Sequence, residues 1–156
     1  MISYSWKQKT TARKICQYLK ERGIRVWSDD RQMVGNIYDS MRKGIEGSKV
    51  FLLCMSKEYD ESANCCRERD WAADLNKPII PLVMEDYDMK SSLSRFISAG
   101  ALYYQFFSES TQPIEGEVFE TTMASVLQDI KEKLKRGRLL FLLVSSFVRT
   151  DLKFFI

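Results

Sequence analysis

Histidine is absent from all 156 residues. Its absence excludes histidine-based triads, histidine general bases and histidine metal sites. Cysteine occurs four times, at Cys16, Cys54, Cys65 and Cys66, with no C-x-x-C spacing, so no zinc site is expected. Cys16 and Cys54 fall on predicted apolar faces, where a thiol acts as a small hydrophobe. Nothing near the Cys65-Cys66 pair marks a lowered thiol pKa, which favours a structural role over redox chemistry. Glycine and proline number only seven and three, and no linker rich in either divides the chain. There is no internal repeat. Neither G-x-G-x-x-G nor G-x-x-x-x-G-K-[ST] occurs, so the usual phosphate loops are excluded. No signal peptide precedes the first strand, and free thiols then predict a reducing, cytoplasmic setting.

What is present suits one globular domain. Apolar residues make up 45% and charged residues 29%, and a chain of this length buries roughly two-thirds of its unfolded surface. The net charge of +3 is too small to argue for nucleic acid or an anionic membrane as partner.

Strand and helix patterns alternate along the chain. Met1 to Tyr4 reads as the end of a strand, and a start inside a strand points to a larger parent chain. Ala12, Ile15, Cys16 and Leu19 give a helix over Thr10 to Arg22, with Gly23 as its stop. Ile24 to Trp27 reads as a second strand. After a polar loop, Ile37, Met41 and Ile45 mark a second helix. Val50 to Met55 is a near-continuous apolar run, as expected of a parallel strand covered on both faces. A helix carrying Glu68 follows, ending near Asn76, then a strand over Pro78 to Met84. Glu85 to Gly100 reads as irregular or briefly helical, and Ala101 to Phe106 as a fifth strand. Met123, Val126, Leu127, Ile130 and Leu134 mark a long amphipathic last helix. The expected architecture is α/β: a flavodoxin-like five-stranded parallel sheet, order 2-1-3-4-5, with helices on both faces. Ligands in such folds gather at the switch point, outside the carboxyl ends of the first and third strands. Ser5-Trp6 and the segment from Ser56 to Ser62 should lie there.

Two segments do not fit a plain core reading. Glu68 shares a helical face with Trp71, Ala72 and Leu75, at offsets of three, four and seven. A carboxylate facing inward is costly unless paired or employed; alternatively it sits at the rim and reaches water or an arginine. At the other end, Leu139-Leu140-Phe141-Leu142-Leu143-Val144 follows a basic run of Lys131, Lys133, Lys135, Arg136 and Arg138. Ten uncharged residues are too few to span a bilayer, which takes about twenty. The segment is an extra helix docked on the domain, an interfacial anchor, or an addition with no part in the domain. The domain boundary is accordingly placed at 1–136, with an apolar tail over 137–156.

Other α/β chemistries fail on their residues. A phosphoacceptor domain needs an aspartate at the end of the third strand, where this chain has Met55-Ser56, and Ser56 lacks a G-x-S-x-G context and a histidine partner. A family resemblance is more telling. Ile2-Ser3-Tyr4-Ser5-Trp6 resembles the first-strand motif of Toll/interleukin-1 receptor (TIR) domains. Val26-Trp27-Ser28-Asp29-Asp30 through Met33-Val34-Gly35-Asn36 resembles their second strand and BB loop. Ser56-Lys57-Glu58-Tyr59 through Glu68 resembles the third-strand end and the S-x-x-C-x-x-E element, and Pro78-Ile79-Ile80-Pro81-Leu82 the fourth strand. The resemblance covers about residues 1 to 135; the chain resembles the NAD-cleaving animal intracellular TIR proteins more than receptor tails.

That resemblance implies two functions. Some TIR domains are non-catalytic adaptors that recruit other TIR domains in innate immune signalling. Others hydrolyse NAD+ at the nicotinamide–ribose bond, in immune or cell-death signalling, with activity dependent on self-association. Products are nicotinamide and ADP-ribose or a cyclic form. In the enzymatic branch the glutamate of S-x-x-C-x-x-E is catalytic; here it is Glu68, with Ser62 and Cys65 at the other fixed positions. The resemblance further implies Ser5, Trp6, Trp27, Met33, Ile37, Tyr38, Asn64 and Cys65 as substrate-binding residues. Ser5 and Trp6 stand where relatives can carry arginines. Tyr38 can replace the aromatic ring that some relatives have at the Ile37 position. Asp29, Arg31 and Gly35 of the BB loop would contact a neighbouring TIR domain in a homo-oligomer. The expected partners are thus NAD+ as substrate and other TIR domains, with no cofactor, metal, nucleic acid or transmembrane segment. The chemistry needs no histidine: nicotinamide leaves as a neutral molecule, and a carboxylate can stabilise the oxocarbenium-like ribose.

Overall fold

The computed structural model describes residues 1–28, 37–87, 102–109 and 112–151, the side chains of 37, 38 and 138–151 excepted. Its centre is a parallel sheet of four strands, β1 (Ile2–Ser3), β2 (Phe51–Met55), β3 (Ile79–Val83) and β4 (Tyr104–Gln105), in that spatial order. Ile2 lies opposite Leu52, Phe51 opposite Ile79, and Leu82 opposite Tyr104. β2, covered on both faces, is buried at every residue, which is why its sequence is apolar throughout. Pro81 is tolerated in β3 because of parity. Met84 N donates to Met55 O, and Phe106 N to Val83 O, so Pro81 turns its missing N–H toward β4. Pairing on that side begins one residue later, at Leu82.

Five helices flank the sheet: α1 (Lys9–Glu21), α2 (Ile37–Gly47), α3 (Lys57–Glu61), α4 (Ala63–Asp74) and α5 (Gly116–Asp151). Alternation along the strands divides the core in two. Ile2, Leu52, Cys54, Ile80 and Leu82 pack against α1 and α5. Met1, Phe51, Leu53, Met55 and Val83 pack with Ile45 of α2, Tyr59 of α3, and Cys65 and Ala72 of α4. Gly23, at φ 78°, ends α1 as expected. Gly23 N donates to Lys20 O and Ile24 N to Leu19 O, the two bonds of a Schellman cap.

The sheet corrects the expected five strands in order 2-1-3-4-5. Ile24 to Trp27 does not form a strand; among the described residues there are four. The reason lies at both ends of the segment. The Ile24 N–H is committed to capping α1, and a sheet-like bond joins the far end of the segment to β1, Ile2 N to Trp27 O at 3.0 Å. The last strand is also shorter than Ala101 to Phe106. The final helix is longer than its amphipathic stripe and crosses the boundary placed at 136 without a break. No helix among the described residues is long and apolar enough to cross a membrane.

Trp27 lies half-buried against α2, and Gly44 is what admits it. A Cβ at Gly44 would stand 2.6 to 2.8 Å from three atoms of the indole. Gly44→Ala should therefore cost about 1–3 kcal/mol through overpacking, despite alanine's better helix propensity. Chemical denaturation would show a lower midpoint for the variant.

Candidate active site

The residues around Glu68 are placed by two serine caps. Ser56 closes β2 and caps α3, its Oγ accepting from Tyr59 N at 3.2 Å. Ser62 ends α3 and caps α4, its Oγ accepting from Cys65 N at 3.4 Å. Two helices thus meet at Ser62 with a sharp change of direction. Cys65 sits in the first turn of α4, its thiol 3.8 Å from the Tyr4 carbonyl. Three residues later Glu68 faces the end of β1.

Glu68 is 7% exposed. Its Oε2 accepts a hydrogen bond from Ser3 Oγ. Ser3 Oγ also lies 2.7 Å from the Tyr59 hydroxyl, which donates to the Cys65 carbonyl at 2.9 Å. Tyr59 having given its proton to Cys65, its oxygen meets Ser3 as an acceptor, and the Ser3 proton is shared between that oxygen and the carboxylate. The phenol is fully buried. Burial, and after it the neighbouring Glu68 charge, raise its pKa well above the usual value. Burial likewise raises the Cys65 thiol from 9.0 to about 11, with Glu68 adding to the shift, so Cys65 packs and does not attack.

A second cluster steadies the α3–α4 junction. Arg69, also buried, lies 3.7 Å from Asp60 of α3 and 2.9 Å from Asp70. Tyr87 donates to Asp60 Oδ2 at 3.3 Å. Desolvation raises the Asp60 carboxyl against the lowering pull of Tyr87 and Arg69. The inward face of α4 is therefore Cys65, Glu68, Arg69 and Ala72. Leu75, expected on that face, is exposed, and Trp71 is half-buried.

The other expected site residues divide. Ser5 turns inward, its Oγ 3.3 Å from Ser56 Oγ, so the ends of β1 and β2 are joined by two hydroxyls. Trp6 turns outward, 72% exposed, with Lys9 Nζ 4.2 Å from its ring centroid. Asn64 is exposed on the first turn of α4. Trp27 is on the same side of the sheet as Glu68, packed in the α2–α4 core. Asp29, Arg31, Met33 and Gly35 lie outside the described residues, as do the side chains of Ile37 and Tyr38. Ser3 and Tyr59, the direct partners of the Glu68 network, were missed as site residues. The available signal was parity: Ser3 falls on the same side of its strand as Met1, in a core that should be apolar. No group of three metal-ligating side chains occurs among the described residues.

A cavity of about 380 Å³ opens on the opposite face of the sheet, between α1 and the residues after it. Tyr4, Arg13, Cys16, Gln17, Lys20 and Ser28 line it. Among the described residues that line it, none is an expected site residue.

A parallel sheet wrapped by helices, with a buried glutamate on the helix beyond its second strand, defines a class of doubly wound domain. The family model for the TIR domain matches residues 1–120, and the chain belongs to the TIR domain family. Its structure is similar to the crystal structure of the TIR domain of the Toll-related receptor TRR-2 from the lower metazoan Hydra magnipapillata. The TM-score is 0.66 and the identity 16%, over 83% of this chain and 95% of that chain; at that identity the likeness is one of fold. The comparison with curated proteins gave no match.

Two measurements test the network. Ser3→Ala should cost about 1–3 kcal/mol, because it leaves a buried carboxylate short of a donor, whereas Tyr59→Phe should cost about 1 kcal/mol. Alkaline pH should also destabilise the fold. The unfolded Cys65 thiol ionises near 9.0, while the folded one holds its proton to about 11, and Tyr59 is shifted the same way. The folded state then binds more protons than the unfolded state above pH 9. Stability is complete below that pH and falls as it rises toward 11. A denaturation series across this window should show the decline, and it should be shallower in the Tyr59→Phe and Cys65→Ala variants.

Proposed function

We propose that this TIR domain hydrolyses NAD+ at the nicotinamide–ribose bond, with Glu68 as the catalytic carboxylate. The observation that carries the reading is the position of that carboxylate. It is buried at the carboxyl end of β1, on a hydroxyl network that fixes its orientation.

The chemistry follows from charge. In NAD+ the nicotinamide ring is a pyridinium. When the C–N bond breaks, its electron pair goes to the ring nitrogen, nicotinamide departs neutral, and positive charge develops on the ribose. A carboxylate in a low-dielectric pocket stabilises that charge more strongly than one in water. Ser3 holds one carboxylate oxygen, leaving the group oriented for the ribose side of the bond, and water completes the reaction by capturing the ribosyl cation. Trp6, exposed at the end of β1, offers a ring on which a base can stack. The enzyme works in the cytoplasm, in immune or cell-death signalling, and self-association through the BB loop brings it to activity.

A second reading is favoured by the same contact seen differently. The bond from Ser3 to Glu68 ties α4 to β1, and that alone is a structural use of the glutamate. On this reading the domain is a non-catalytic adaptor working through TIR–TIR contacts.

Glu68→Gln separates the two, because the amide oxygen can still accept from Ser3 while the charge is lost. NAD+ consumption by the purified protein at high concentration should fall by about 10²–10³-fold in the variant. Its circular dichroism should remain that of the wild type. Turnover undiminished in the variant would remove Glu68 from catalysis. A wild type inert under conditions that force assembly would favour the adaptor.

A further inference from the structure

We infer that the C-terminal part of α5 binds the surface of a bilayer containing anionic lipid, holding the domain at a membrane without crossing it.

The inference starts from the two halves of α5. Phe119, Met123, Val126, Leu127 and Ile130 are buried against the sheet, and Leu134 packs on that cluster. Lys135, Arg136 and Gly137 are exposed. The helix runs on to Asp151, seventeen residues past Leu134, or about 25 Å. The residue pattern changes after Leu134. Up to Leu134 the apolar residues recur every three or four positions, as on a one-sided helix. From Leu139 to Val144 every residue is apolar, and no charge occurs before Arg149. An uncharged apolar run of this kind gains free energy by leaving water.

Charge selects the occupant. Residues 131–156 hold seven basic and two acidic side chains, while residues 1–130 hold 17 basic and 19 acidic. The net charge of +3 thus conceals a tail of +5 on a body of −2. A second copy of this helix would bring +5 against +5, whereas an anionic lipid surface complements it. The geometry sets the mode. Ten uncharged helical residues span about 15 Å, half of a hydrocarbon core of about 30 Å. Basic residues bound the segment on both sides, Arg136 and Arg138 before it, Arg149 and Lys153 after it. Both ends therefore stay at the headgroups, and the helix lies along the interface.

The test is flotation of the full chain with vesicles of phosphatidylcholine, alone or mixed with phosphatidylserine. The wild type should float with the mixed vesicles and far less with the neutral ones, and salt should release it. Replacing Lys131, Lys135, Arg136 and Arg138 by glutamine should lower partitioning about fivefold per residue. Leu142→Glu with Leu143→Glu should abolish flotation and leave circular dichroism unchanged. Failure of the wild type to float, or equal binding to neutral vesicles, would overturn the inference. So would lipid-free dimerisation that Leu142→Glu removes, since the occupant would then be a second copy. None of these outcomes depends on whether Glu68 is catalytic.

Discussion

The fold around the site depends on burying one carboxylate between a strand end and a helix. Glu68 gives up most of its water, and Ser3, the residue that answers it, lies on the two-residue first strand. The cost of desolvating a charge is several kcal/mol unless hydrogen bonds replace the lost water. α4 must therefore sit where Ser3 can reach its side chain. Tyr59 extends the demand to α3, and its bond to the Cys65 carbonyl returns it to α4. A strand at the start of the chain and two consecutive helices far along it are held to one arrangement by a few hydroxyl protons.

The serine caps are what make that arrangement reachable. Ser56 and Ser62 each close one element and open the next, so that β2, α3 and α4 follow one another with almost no connecting loop. The ion pairs of Arg69 with Asp60 and Asp70 then brace the junction from its far side. These are charges in a partly buried setting, where removing one partner is costlier than the pair is stabilising. The acidic centre is thus held by neighbours from β1 and α3, while Trp6 lies exposed beyond the end of β1.

The two faces of the sheet have separate tasks. The α2–α4 face carries the Glu68 network. The α1–α5 face carries a larger apolar core and a cavity over α1. The first half of α5, from Phe119 to Leu134, belongs to this second face. On the proposed reading its second half carries the domain to a membrane surface, so that chemistry and location would be set by different ends of the chain.

Much was determined by the sequence alone. Periodicity marked the helices and the buried β2, Gly23 marked the end of α1, and the serine, cysteine and glutamate spacing marked the helix of the site and its family. These are local properties, set by which residues share a face and which backbone angles they allow. Tertiary structure decided what no local rule could. Ile24–Trp27 reads as a strand by composition, but the competition for its N–H groups, won partly by the α1 cap, left it outside the sheet. Leu75 fits the inward stripe by spacing, yet it lies exposed at the C-cap of α4, while Arg69, beside Asp60 of α3, is buried. Ser3 and Tyr59 are 56 residues apart, and their 2.7 Å contact exists only once the sheet and the helices have closed on each other. Spacing placed the carboxylate on the correct helix; packing alone supplied its partners.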